Sequence, residues 1–252
     1  MCRLFIVLPV ILLLFSCSPH LAVKQIDTKN TAVNVETAVP DSLVESFLKP
    51  YRDSIERDMS KLVCVSETAI VKGKPESKLS NLVADILFDF GTKYCNSNNQ
   101  DCYPDVAYVN YGGLRGSLPL GKITVGNIFE LMPFENEVVL LKISGGALEK
   151  MADKIAARGG EGISGMKLGI RDEKVALLLV GGKPVDPNAY YWLVTNDYVA
   201  NGGDQMTMFA DPADRKNTQM KIRDLLIKTL SERYKKEGII SVKEDGRIYN
   251  EQ

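Results

Sequence analysis

From residue 41 onward the chain switches repeatedly between helical and strand periodicity, and this limits the possible folds more than any other feature. Apolar residues three or four apart predict helices. Short apolar runs closed by turn-forming residues predict buried strands. Asp41-Ser42 caps a helix running to about Met59, with Leu43, Phe47 and Ile55 on its apolar face. Leu62 to Val71 is strand-like, and Ser80-Asn81 opens a helix with Leu82, Ile86 and Phe90 at helical spacing. Strands are expected at Val106–Val109 and Val138–Ile143, followed by a helix over 146–157 and a glycine-rich loop, Gly159–Gly165. Lys167–Ile170 and Val175–Val180 read as hairpin arms or neighbouring strands, and Tyr190–Thr195 as a strand leading into the glycine-rich loop Asn196–Asp204. A long helix over about 217–236 and a strand near Arg247–Tyr249 complete the series. There is no internal repeat and no second linker. The expected fold is α+β, one domain over 41–252 with a mixed β-sheet flanked by helices. A hydrophobic content of 45% suffices for its core.

The segment before residue 41 reads as an address rather than as fold. Arg3 supplies a positive start and Leu4–Phe15 is almost unbroken apolar sequence. That run falls short of the roughly 20 residues that a spanning helix needs, so a cleaved signal over 1–16 is expected. Leu14-Phe15-Ser16-Cys17 resembles the bacterial lipobox, which implies lipidation of Cys17 as the first mature residue. Ser18 is not the acidic residue that retains such proteins at the inner membrane. The expected place is therefore the outer membrane with the domain facing the periplasm, or the cell surface. Residues 17–40 then form the lipidated cysteine and a polar, Thr/Val-rich flexible tether.

Two counts remove whole classes of function. The chain holds a single histidine, His20, inside that tether. His-rich metal centres and Ser-His-Asp or Cys-His sites are therefore disfavoured within the domain. A net charge of −1 gives no electrostatic footprint for nucleic acid, and no nucleic-acid partner is expected. Cys95 and Cys102 bracket a polar segment and could close a disulfide in an oxidising compartment, whereas Cys64 lies in an apolar run and reads as a buried free thiol.

Three loops carry chemistry. Asn110-Tyr111-Gly112-Gly113-Leu114-Arg115-Gly116 lets the backbone approach a ligand and projects an arginine suited to phosphate or carboxylate. Alone it fits a Gly-Gly turn with a solvated arginine better than a ligand site. Pro133-Phe134-Glu135-Asn136 places an aromatic ring before a strand, as a core plug or a ligand platform. Asn196-Asp197-Tyr198 through Asn201-Gly202-Gly203-Asp204 is by itself a turn signal.

In this order the segments resemble the C-terminal domain of the bacterial and animal 5′-nucleotidases. That family carries N-G-G-G-I-R, P-F-G-N and N-D-F-x-A-x-G-G-D, and the present chain has NYGGLR, PFEN and NDYVANGGD. Glu76–Asp85 (ESKLSNLVAD) is similar to the family's E-S-N-L-G-N-L-V-A-D, and Ile123–Phe129 to I-T-Y-G-D-V-F. The resemblance covers roughly residues 60–235. It implies that Phe134 and Tyr198 sandwich a nucleotide base, that Asn136 hydrogen-bonds the base, and that Asp204 accepts from the ribose hydroxyls. It also implies that Arg115 holds phosphate with Asn110 nearby. Tyr111 and Glu135 replace glycines of the pattern, Ser80 replaces another, and Lys72-Gly73-Lys74-Pro75 stands where the family has a phosphate-binding arginine. Lysine is a point charge without the bidentate fork, so weaker phosphate affinity is expected.

Family enzymes hydrolyse phosphoesters at a two-metal centre in a separate N-terminal domain. No D-x-H, G-N-H-E or G-H-x-H motif occurs in this sequence. The resemblance therefore implies a nucleotide-binding subunit with no cofactor of its own, active only with a separate metallophosphoesterase that carries the divalent metals. The alternatives are a non-catalytic nucleoside- or nucleotide-binding lipoprotein and a docking scaffold.

Overall fold

Three strands carry almost uninterrupted apolar sequence because both of their faces are covered. They are β2 (Pro104–Val109), β4 (Glu137–Ser144) and β9 (Tyr190–Asn196). Ala107, Val109, Val138, Leu140, Trp192 and Val194 enter one core, whereas Val106, Tyr108, Val139, Leu141, Ile143 and Leu193 enter a second. Alternate residues thus serve opposite faces, and the five-stranded sheet between the two cores runs β10-β4-β9-β2-β5, with β5 at Gly162–Ser164 and β10 at Asp214–Lys221. The first core is closed by α2 (Lys78–Ser97) and α6 (Ile222–Glu237), the second by α4 (Gly145–Ala157) and by β6 (Met166–Arg171). β6 belongs to a second sheet, β11-β6-β7-β8, with β7 at Lys174–Val180, β8 at Lys183–Pro184 and β11 at Ile248–Asn250. A short antiparallel pair joins β1 (Leu62–Ser66) to β3 (Gly121–Thr124), and α3 (Val125–Leu131) and the single-turn α5 (Asp197–Ala200) follow β3 and β9. The fold is α+β with mixed sheets, as the sequence predicts.

The computed structural model describes residues 23–34, 38, 40–97 and 101–251. The signal segment 1–16, Cys17 and His20 lie outside them. The chain divides into two units, Met1–Lys49 and Pro50–Gln252, and the division falls within α1 (Ser42–Met59). Residues 23–33 have no regular secondary structure. Asp41 caps α1 as expected, its Oδ1 accepting from Leu43 N at 2.8 Å and Val44 N at 3.1 Å. None of the residues of α1 is buried, so its apolar face is not used as core.

Several element boundaries differ from the sequence reading. The strand expected over 62–71 stops at Ser66, whose hydroxyl donates to Thr68 O at 2.7 Å and turns the chain; only Ile70 returns, as an isolated bridge to Leu118. α2 begins at Lys78 rather than Ser80, because Ser77 and Ser80 cap reciprocally: Ser80 N donates to Ser77 Oγ at 3.1 Å and Ser77 N to Ser80 Oγ at 3.2 Å. The helix expected from 217 begins at Ile222. Residues 214–221 instead form β10, which supplies the edge partner of β4, with Asn217 opposite Val139 and a bulge where Gln219 turns to φ 58°. Tertiary pairing overrides the weak helical pattern there.

Cys95 and Cys102 form a disulfide with Cα atoms 5.5 Å apart, and both residues are buried. Cys64 is the buried free thiol, its pKa pushed up to about 11 by burial. The bond closes a loop of sequence separation 7 at the end of α2, so chain-entropy arguments give about 2 kcal/mol of stabilisation. A Cys95→Ala/Cys102→Ala variant should lose about 2 kcal/mol of unfolding free energy in a urea titration, with a correspondingly lower midpoint. Insensitivity of the wild type to dithiothreitol in the same assay would count against the bond.

Candidate functional site

Strand direction brings the three loops together. β9 runs parallel to β2, with Ala107 opposite Val194, and antiparallel to β4, with Asn196 opposite Val138. The C-terminal ends of β2 and β9 and the N-terminal end of β4 therefore emerge at one edge of the sheet. Asn110 follows β2, Asn136 precedes β4 and Asn196 ends β9. The resulting cleft, of about 270 Å³, is lined by Asn110, Arg115, Phe134, Asn136, Tyr198 and Asp204 together with Gly112 and Gly113. The six side chains singled out from sequence as a substrate site thus converge on one cavity.

A hydrogen-bond relay fixes Asp204, the residue that the resemblance assigns to the ribose. Asn196 caps α5 by accepting from Val199 N at 2.8 Å, and its Nδ2 donates to Asn110 Oδ1 at 3.1 Å. Asn110 Nδ2 then donates to Asp204 Oδ2 at 2.5 Å. Tyr198 Oη accepts from Asp204 N at 3.2 Å and donates to Asp204 Oδ1 at 3.1 Å. The hydroxyl that distinguishes Tyr198 from the family's phenylalanine is thereby inserted into the Asp204 turn. Two glycines make room for this relay. A Cβ on Gly113 would stand 2.8 Å from Asn110 Oδ1, and one on Gly203 only 2.5 Å from both the ring and the carbonyl of Tyr198. Sequence reasoning gave these glycines no such role. The signal was there, in their fixed positions beside Asn110 and Tyr198.

Phe134 and Tyr198 keep 42% and 47% of their surfaces exposed, so Phe134 is not a core plug. Its loop is clamped from below. Glu135 binds both Lys221 and Arg223, and Arg223 Nη1 also reaches Pro133 O at 3.4 Å. The Arg223 guanidinium lies 4.0 Å from the Phe129 ring centroid, and its buried Nε has no hydrogen-bond partner among the described residues. Ile222 N donates to Asn136 O at 3.0 Å, closing the loop onto the start of α6. The bonds from Lys221 and Arg223 hold the pKa of the Glu135 carboxyl down to about 2.

The cationic residues gather around Tyr111. Lys72 Nζ lies 3.6 Å and Lys74 Nζ 4.7 Å from its ring centroid, and Lys72 also donates to Leu114 O at 2.6 Å. Burial, then the nearby charges of Arg115 and Lys74, lower the Lys72 pKa. Arg115 makes a long hydrogen bond of 3.5 Å to Gly112 O. The Glu76–Asp85 block, in contrast, serves the fold. Glu76 accepts from Asn81 Nδ2 and from the backbone of Asp245 and Gly246, and Asp85 pairs with Arg247 at 2.6 Å. Among the described residues no three His, Cys, Asp or Glu side chains are grouped to hold a metal ion.

A sequence model described as "5′-nucleotidase, C-terminal domain" matches residues 63–211. The chain belongs to that family. The 5′-nucleotidase of Vibrio cholerae serotype O1 is 25% identical over 183 residues, covering 71% of this chain and 32% of that protein. An apyrase of Tabanus yao is 29% identical over 166 residues, covering 57% of this chain and 29% of that protein. The chain thus spans about a third of the length of these curated relatives. Among solved structures, the 5′-nucleotidase precursor of Thermus thermophilus superposes with TM-score 0.69 at 24% identity, over 86% of this chain and 44% of that one. The Haemophilus influenzae NAD nucleotidase gives 0.61 at 18%, over 83% and 41%. These two likenesses show the fold.

The Glu135 clamp predicts a pH dependence. A carboxyl held at about 2, below its usual value of about 4.5, stabilises the folded state above the usual value and loses that contribution as pH falls toward 2. The difference in melting temperature between wild type and Glu135→Gln should therefore be full at pH 6 and shrink on acidification through that window. A difference that stays constant with pH would mean that the ion pairs do not hold the loop. Tyr198→Phe should preserve the fold and the aromatic face while loosening Asp204, seen as increased amide exchange at 203–205.

Proposed function

We propose that this chain is the nucleotide-binding subunit of a split 5′-nucleotidase-type phosphohydrolase. It stacks the base and holds the phosphate for a separate metallophosphoesterase that carries the divalent metals. The supporting observation is the convergence of Arg115, Phe134, Asn136, Tyr198 and Asp204 on one cleft. An exposed aromatic pair offers π faces to a base, and each base–aromatic contact is worth roughly 1–3 kcal/mol. The Asp204 carboxylate is an acceptor suited to ribose hydroxyls, and Arg115 has no carboxylate partner among the described residues and so remains available to phosphate. Lipidation at Cys17, with the domain in the periplasm at the outer membrane, completes the reading. The buried Cys95–Cys102 bond is consistent with such an oxidising compartment.

A second reading, capture of nucleosides or nucleotides without hydrolysis, draws on the phosphate end. There Lys72 and Lys74 stand on Tyr111 in place of an arginine. The two readings part on one comparison. Calorimetric titration of the purified chain with the four ribonucleoside 5′-monophosphates and their nucleosides should show micromolar to low-millimolar binding, with the monophosphate favoured. Tyr198→Ala should weaken both about tenfold or more, and Arg115→Ala should remove the preference for the monophosphate. Equal affinity for both ligands would favour capture of nucleosides. Rapid phosphate release by the purified chain with Mg²⁺, Mn²⁺ or Zn²⁺ would sink the split-enzyme reading.

A further inference from the structure

We propose that Arg158, held by the buried Glu161 and Tyr108, is a positioning residue for Asp204 and sets the preference for sugars that carry vicinal hydroxyls. The inference rests on the cleft being a nucleoside site. Asp204 adopts left-handed backbone, φ 50° and ψ 34°. That conformation is unfavourable for a residue with a Cβ and persists only where its surroundings over-determine it. Its amide and carboxylate are fixed by Tyr198 and Asn110. Its carbonyl is fixed by Arg158, whose Nη2 donates to it. Arg158 is the C-terminal cap of α4, and its Nη1 pairs with Glu161 Oε1 at 3.3 Å. The other oxygen of Glu161 accepts from the hydroxyl of Tyr108, which is fully buried on β2.

Glu161 is only 5% exposed, and burial raises its pKa. A carboxylate in that position is costly to keep, and one buried ion pair adds little net stability. None of Tyr108, Glu161 and Arg158 lines the cleft. What the three achieve together is to deliver one guanidinium to the carbonyl of Asp204. Arg158 is also joined to the cationic segment, because Lys74 Nζ donates to its carbonyl. With the turn held, Asp204 spends one hydrogen bond on Asn110 and one on Tyr198. A carboxylate has about four lone-pair sites, so two remain to accept from a diol. If the turn relaxes, those two lose their common aim; Tyr198 loses its hydroxyl partners, but its ring stays on α5 and Phe134 stays on the Glu135 clamp, so both π faces remain.

The test compares adenosine, guanosine, cytidine and uridine with their 2′,3′-dideoxy counterparts by calorimetry on the full chain, for wild type, Arg158→Gln, Arg158→Lys and Glu161→Gln. Wild type should prefer the ribonucleoside. Arg158→Gln should lower ribonucleoside affinity about tenfold, the size of one charge-assisted hydrogen bond, and leave dideoxynucleoside affinity within about twofold. Arg158→Lys should restore part of the preference, and the near-isosteric Glu161→Gln should reproduce part of the loss even if Arg158→Gln fails to fold. An equal loss for both ligand series, or an unchanged ratio, overturns the proposal and leaves the site reading intact. Wild-type protein that binds no nucleoside overturns both.

Discussion

The buried side chains of Asn110 and Asn196 tie two strand ends to the cleft. They are 3% and 1% exposed, they sit at the adjacent ends of parallel strands, and one donates to the other at 3.1 Å. A buried amide left without partners costs about 1–3 kcal/mol, so each must be satisfied where it stands. Asn196 spends its oxygen on capping α5, and Asn110 spends its nitrogen on Asp204. The strand ends, the helix that carries Tyr198 and the carboxylate at the mouth of the cleft are thereby set by one chain of amides. Replacing either asparagine by aspartate would trade a donor for a charge and break the relay at that point.

The sequence made the layered α+β fold legible because its strands are buried on both faces. Val106–Val109 and Val138–Leu141 are apolar without alternation, and each feeds two cores. It misread residues 217–221, where the local pattern is ambiguous and only pairing with β4 decides the conformation. The convergence of the cleft residues was legible only as an ordered set of motifs. No periodicity in the chain says that β9 lies between β2 and β4, and that placement is what joins the loops. The supporting residues were illegible for a related reason. Arg158, Glu161 and Arg223 look like ordinary surface charges in the sequence, and their full or partial burial follows from tertiary contacts alone.

The departures from the family pattern are not isolated substitutions in this light. Tyr111 stands where the pattern has glycine, and it offers its ring to Lys72 and Lys74, the lysines that replace an arginine. Glu135 stands where another glycine is expected, and it ties the Phe134 loop to Lys221 and Arg223. Tyr198 adds a hydroxyl that both donates to Asp204 and accepts from it. Only Tyr198 lines the cleft itself, while Tyr111 and Glu135 sit in loops that border it, and each of the three has a partner. A site drifting as a relic would accumulate unpaired polar groups, since nothing would select against their cost. Pairing at all three positions argues that the cleft is kept in a defined geometry. The cations around Tyr111 are the exception that carries meaning. Burial and mutual repulsion lower the Lys72 pKa, and none of Lys72, Lys74 and Arg115 has a carboxylate partner among the described residues. A cluster held in that state lowers its energy by taking an anion. On the proposed reading, that anion is the phosphate of a nucleotide whose base and sugar the other residues have already oriented.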